Sequence, residues 1–194
     1  MNRVLNIILI VFLGIQSGCF RANKSEDQLY MLRSETIPAN LIVSDGDPLL
    51  VLSPVKVASY LDRPQMVVAL SEQEFRLSES HRWADRLDVN IGRVSTQNLS
   101  HLLPKMRVSN QPVSRDIRPD YQVSIVVEDM HSGPKDELIF EASWMLRTSS
   151  GKIVNRRFSC KLPVMQEDFS VVVEAESQCV YRLNKEIASA VVNH

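Results

Sequence analysis

The chain predicts an α+β domain, with a mixed, largely antiparallel sheet and two long amphipathic helices packed on one face. Three observations carry that expectation. Tyr121, Val123, Ile125 and Val127, and then Leu138, Phe140, Ala142, Trp144 and Leu146, alternate with other residues at the two-residue period of half-buried strands. Phe169, Val172, Val173, Val180, Leu183, Ile187 and Val191 recur instead at helical spacing, as do Trp83, Leu87, Ile91, Val94 and Leu102 earlier in the chain. Hydrophobic residues make up 44% of the 194 residues and only 6 are Gly, a composition that fills a core.

Taken in order, Leu29 to Arg33 reads as a short strand, followed by a loop with Pro38 and the turn signal Asp45-Gly46-Asp47-Pro48. Leu49 to Val57 reads as a strand interrupted by Pro54, which has no N–H for a ladder and marks an edge or a bulge. The chain is expected to turn through Ala58 to Pro64 and return along Gln65 to Leu70, with Phe75 and Leu77 on a short alternating piece. Ser78 or Ser80 is the expected cap of the first helix and Pro104 its stop, although Asn98 interrupts the apolar stripe. The alternating segments after Tyr121 are separated by Ser132-Gly133-Pro134 and Ser149-Ser150-Gly151, which predicts a meander whose third strand runs from Ile153 to Cys160. A long helix closes the chain, with Glu176 inside its stripe needing a partner or an exit to solvent.

The first eighteen residues are of another kind. A charged start at Arg3, an apolar run from Val4 to Ile15 and the small residues Ser17-Gly18 describe an export signal, because a membrane-crossing helix needs about 20 apolar residues. Ile15-Gln16-Ser17-Gly18-Cys19 resembles a bacterial lipobox in all but Gln16, so Cys19 is expected to become the first residue of the mature chain, carrying diacylglycerol and an N-acyl chain. An ordinary signal peptide cut nearby is the alternative. Phe20 stands where Asp favours inner-membrane retention in such signals, which points to the periplasmic face of the outer membrane. The organisation expected is a signal peptide over 1–18, the lipidated Cys19 with a polar tether over 19–28, and one periplasmic domain over 29–194. Fully extended, the nine residues from Phe20 to Gln28 reach about 30 Å.

In an oxidising compartment the other two cysteines, Cys160 and Cys179, form an even pair expected to be disulfide-bonded, stapling a helix onto a sheet edge; two free buried thiols are the alternative. Lys and Arg number 22 against 23 Asp and Glu with no block of like charge, so a nucleic-acid partner is not expected. No phosphate-binding Gly loop, Gly-x-Ser-x-Gly elbow or His-Glu-x-x-His pair occurs, and His81, His101, His131 and His194 lack ligand spacing. Neither an enzyme, a metal nor a bound cofactor is expected. Asp85 and Asp88 beside Arg86 read as a solvated face.

The bend Tyr60-Leu61-Asp62-Arg63-Pro64-Gln65 stands out. Pro64 biases Arg63 toward an extended backbone, and Tyr60, Leu61, Arg63 and Pro64 form a candidate protein interface, since Tyr and Arg are favoured interface anchors. The competing view is a structural bend in which Arg63 holds a carboxylate inside the fold.

Ser53-Pro54-Val55-Lys56-Val57 followed by this bend and Met66-Val67, the Trp83-Ala84-x-x-Leu87 helix, Asn98-Leu99, and the Tyr121-x-Val123 and Ala142-x-Trp144 strands together resemble the PqiC/YmbA family of membrane-integrity-associated transporter lipoproteins, over nearly all of residues 29–192. That resemblance implies a non-enzymatic auxiliary subunit that docks a PqiB-like MCE-domain tunnel at the outer membrane, and a homo-oligomer in the form of a ring. A periplasmic lipid or amphiphile carrier and a purely structural envelope lipoprotein are the rival readings.

Overall fold

One 13-residue strand organises the computed structural model, which describes residues 26–35, 44, 46–111 and 117–194. This strand, β7 (Tyr121–Gly133), pairs along one edge with β8 (Glu137–Thr148), and β8 pairs with β9 (Ile153–Pro163); both ladders are antiparallel. Its other edge takes three short parallel strands in succession: β2 (Leu49–Leu52) at Tyr121, β3 (Lys56–Val57) at Val126 and β4 (Gln65–Ala69) at Ser132. Beyond them lie β5 (Phe75–Trp83), antiparallel to β4, the three-residue β1 (Gln28–Tyr30), parallel to β5, and β6 (Arg107–Ser109), parallel to β2. The two helices among the described residues are α1 (Leu87–Leu102) and α2 (Phe169–Val192). The mixed sheet and two helices are the α+β arrangement expected, with the long antiparallel ladders confined to β7, β8 and β9 plus the β4–β5 hairpin.

Why β2 and β3 are separate follows from Pro54. The chain runs along β7 throughout, Ser53 N donating to Val123 O and Ala58 N to Val127 O, but Pro54 cannot donate and the ladder breaks around it. The expected reversal at Ala58 to Pro64 does not occur. Leu61 N bonds to Ala58 O and Arg63 N to Leu61 O, a jog that leaves β4 running in the same direction as β3, so the edge of β7 is extended and the actual reversal comes at the β4–β5 hairpin.

The first helix also begins later than expected. Ser78 and Ser80 lie in β5, held there because Trp83 N bonds to Pro64 O and Ala84 N to Tyr30 O. Arg86 occupies the N-cap of α1 without a side-chain capping bond, and Arg86 pairs with Asp88 at 2.7 Å in the first turn, where a carboxylate suits the helix dipole. Leu102 is the last helical residue, two before Pro104. In α2, by contrast, the cap is strong: Asp168 accepts from Ser170 N and Val171 N, an arrangement that contributes about 1 kcal/mol.

The inward rows of the meander build the core against the helices. Leu138, Phe140, Ala142, Trp144 and Leu146 of β8 are all buried, as are Val123, Ile125 and Val127 of β7, and Leu183 and Ile187 of α2 meet the same cluster. A bulge between Val127 and Asp129 shifts the alternation, after which Met130 is buried. Cys160 on the edge strand β9 and Cys179 on α2 are disulfide-bonded with their Cα atoms 5.8 Å apart, joining helix to sheet. Among the described residues no helix covers the other face of the meander, and Val126 and Ile153 are exposed there.

Candidate functional site

Cys19, Phe20 and the tether up to Ser25 lie outside the described residues, as does the loop over 36–43. The structure places the other singled-out residues with clarity. At the bend, Leu61 is only 3% exposed and belongs to the core, which corrects its assignment as an interface residue: the jog at Ala58 turns it inward. Tyr60 is half-buried, its hydroxyl donating to Asp129 Oδ1 at 2.8 Å and its ring 5.3 Å from that of Phe75. Burial, and then the hydrogen bond to the Asp129 carboxylate, raise the Tyr60 phenol well above its ordinary range, so it stays protonated and acts as a donor.

Pro64 is exposed, and its carbonyl serves Trp83. Arg63 is half-buried with no carboxylate within ion-pair distance among the described residues, and its Nε is buried without an acceptor. The reading of Arg63 as an internal carboxylate anchor therefore has no partner here. Asp62 points away to solvent, on the side of Arg86. Of the four candidate residues, Pro64 is the exposed one, and Arg63 is half-buried without an ion pair among the described residues.

Around Asp129 the structure assembles groups that sequence spacing did not flag. Phe75 meets His131 edge-on at 5.1 Å, and a cleft of about 310 Å³ beside them is bounded by Asp129, Glu141, Lys135 and Lys161. Burial holds His131 below its ordinary pKa, hence neutral. A larger open cleft of about 800 Å³ lies where β1 and β5 meet the start of α2, between Gln28, Tyr30, Asp136 and Met165. Its wall is a stack of His81 on Phe169, ring centroids 3.9 Å apart, with Tyr30 close to both. His81 is thus a packing residue, its Nδ1 bonded to Ser78 Oγ at 2.8 Å. Among the described residues no group of three or more His, Cys, Asp or Glu is placed to hold a metal ion.

A second unflagged feature is a polar seam between the helices. Asn90, Ser95 and Asn98 of α1 and Ser177 and Asn184 of α2 are buried. Asn184 Nδ2 donates to Ser95 Oγ, and the segment after β1 is strapped across both helices: Arg93 Nη2 donates to Leu32 O, Arg33 N to Ser177 Oγ and Ser34 Oγ to Asn98 Oδ1. Leu32, fully buried, plugs the strap into the core. The interruption at Asn98 was the visible trace of this seam. Glu176, in contrast, is 2% exposed, and its Oε2 has no hydrogen-bond partner; burial pushes its carboxyl up to about 8.

Comparison with known proteins brings these observations together. The model of a family described as the ABC-type transport auxiliary lipoprotein component matches residues 30–188. The intermembrane transport lipoproteins PqiC of Escherichia coli (strain K12) and of Shigella flexneri are each 25% identical to the chain over 161 residues, covering 83% of this chain and 81% of theirs. An uncharacterized protein of known crystal structure shares the fold with a TM-score of 0.73 at 21% identity, covering 86% of this chain and 99% of its own. A Xanthomonas campestris protein does so at 0.65 and 18% identity, covering 83% and 92%. Because the family match runs from the end of β1 through the meander and most of α2, the chain belongs to the family of ABC-type transport auxiliary lipoprotein components.

Proposed function

We propose that the chain is a lipid-anchored periplasmic subunit of the outer membrane, without catalytic activity of its own, that docks an MCE-domain tunnel there and so supports intermembrane lipid transport and envelope integrity. The observation that carries this reading is the family match over residues 30–188, joined to a sequence over 1–18 that reads as an export signal ahead of Cys19. The similar proteins of Escherichia coli and Shigella flexneri bear the name of intermembrane transport lipoproteins, and the same role fits here. No helix among the described residues is long and apolar enough to cross a membrane; in this reading acyl chains on Cys19 supply the attachment. The surface offered to the MCE partner includes Arg63 and Pro64, and several copies surround the tunnel as a ring.

A carrier would enclose an apolar cavity for its amphiphile. The clefts between β1, β5 and α2 and around Asp129 are instead open and bordered by charged and amide side chains, which favours docking.

Cys19→Ala is the direct test. The variant is expected to lose fatty-acid labelling, to move from the outer-membrane fraction to the soluble periplasm, and to leave the MCE-domain protein no longer recovered with the outer membrane. Continued labelling, or an MCE-domain protein still recovered there at wild-type level, contradicts the proposal.

A further inference from the structure

Six large apolar side chains lie exposed at one end of the molecule: Leu29, Leu70, Phe75, Leu77, Met165 and Val171. Single exposed apolar residues are ordinary, but a cluster is not. Several contacts make this a single end. Gln166 Nε2 donates to Ala69 O, tying the β9–α2 loop to the β4–β5 hairpin, and Val164 N donates to Asp136 O at the β7–β8 tip. The rings of Tyr30, His81 and Phe169 bring β1 and β5 onto the first turn of α2, and Leu77 borders the same stack. Here, too, the chain enters the fold. Gln28 opens β1 at the rim of the 800 Å³ cleft, beside Met165.

We infer that this end rests on the phospholipid surface, the apolar cluster entering the interfacial layer as a second contact beside the acyl chains. The inference rests on lipidation at Cys19 and adds to it an orientation. A chain anchored at Cys19 delivers Gln28 within about 30 Å of the bilayer, and the residues next to that entry point are those whose apolar surface is uncovered. Leu29 and Met165, each 64% exposed, are the most open of the six. Charges of both signs stand around it, Glu72, Glu74, Glu167 and Asp168 with Lys135, Lys161 and Arg76, so the contact is apolar rather than coulombic. Val192, 73% exposed at the other end of the 24-residue α2, is about 35 Å away and faces the periplasm.

The test uses the lipidated full-length protein reconstituted into phosphatidylcholine vesicles, with and without bromine on the acyl chains. Single variants Met165→Trp, Leu29→Trp and Val192→Trp are compared with wild type, whose Trp83 and Trp144 are buried. Bromine quenches at short range, so the added emission at 165 and at 29 is expected to fall about twofold in brominated vesicles, with residue 192 unchanged. Replacing part of the phosphatidylcholine by phosphatidylglycerol is expected to leave or lessen that quenching. Flotation of the same samples separates the two ideas. Protein that floats with positions 165 and 29 unquenched, or with 192 quenched as strongly, overturns the orientation while the anchor stands; protein that fails to float overturns both. Quenching that appears only with phosphatidylglycerol also overturns it.

Discussion

Glu176→Gln is expected to raise the stability of the domain at pH 8 and above by several kcal/mol and to remove most of the decline that the wild type shows on the way there. The carboxyl sits in the middle of the buried stripe of α2, with Val172 and Val173 one turn before it and Cys179 and Val180 one turn after, all buried. No charged group offsets its burial: desolvation alone raises it from 4.5 to about 8. The folded state therefore holds the proton more tightly than the unfolded chain does. Stability from this group is fully present below about pH 4.5, is lost as pH rises toward 8, and is flat beyond. With one pKa unit near 1.4 kcal/mol, the loss is on the order of 5 kcal/mol. Gln keeps the shape without the ionisation. Denaturant melts of both proteins between pH 5 and pH 9 should coincide at the acid end and diverge at the basic end; parallel curves would show that Glu176 is solvated or paired.

The second large effect belongs to Cys160 and Cys179. The bridge spans 19 residues of sequence, and closing a loop of that size contributes about 3 kcal/mol by restricting the unfolded chain. In a domain of this length, that corresponds to a fall of about 6–12 °C in Tm for the double variant Cys160→Ala/Cys179→Ala. Both sulfurs are buried, so the native protein should resist reductant until it unfolds. Unreduced, denatured protein that takes up thiol reagent at both positions would remove the bridge from the account.

These two predictions stand on residues of differing legibility. The strands of the meander and the terminal helix were readable because each holds one period over its length or up to the bulge after Val127, and Cys160 and Cys179 fall on them at places that a helix lying across a sheet edge brings together. Glu176 was visible as a charge within an apolar stripe, but whether it found a partner depended on what lay opposite. The stretch from Ser78 to Arg86 was ambiguous: two serines before an apolar-periodic run signal a helix cap, yet hydrogen bonds from Trp83 to Pro64 and from Ala84 to Tyr30 keep it extended. Local sequence does not contain those bonds.

The bend shows the same division. Pro64 marked it, while its direction and the fate of each side chain came from Ala58 pairing with Val127 and Tyr60 reaching Asp129, sixty-nine residues on. The helical seam likewise depends on Ser34 meeting Asn98 and Arg33 meeting Ser177, contacts between distant segments that no period encodes. What the motifs did supply was the resemblance to the family, which bears most directly on function.

Docking is the centre of this account, and Arg63→Glu tests it. Arg63 forms no ion pair among the described residues, so charge reversal costs the isolated domain little through lost pairing, whereas at an interface it creates repulsion. The decisive measurement is co-sedimentation of the full-length protein, wild type and variant, with the MCE-domain protein, alongside thermal melts of the two. Docking through Arg63 predicts a retained melting temperature with binding weakened about tenfold or more. Equal binding by wild type and Arg63→Glu, or no binding by either, would contradict it.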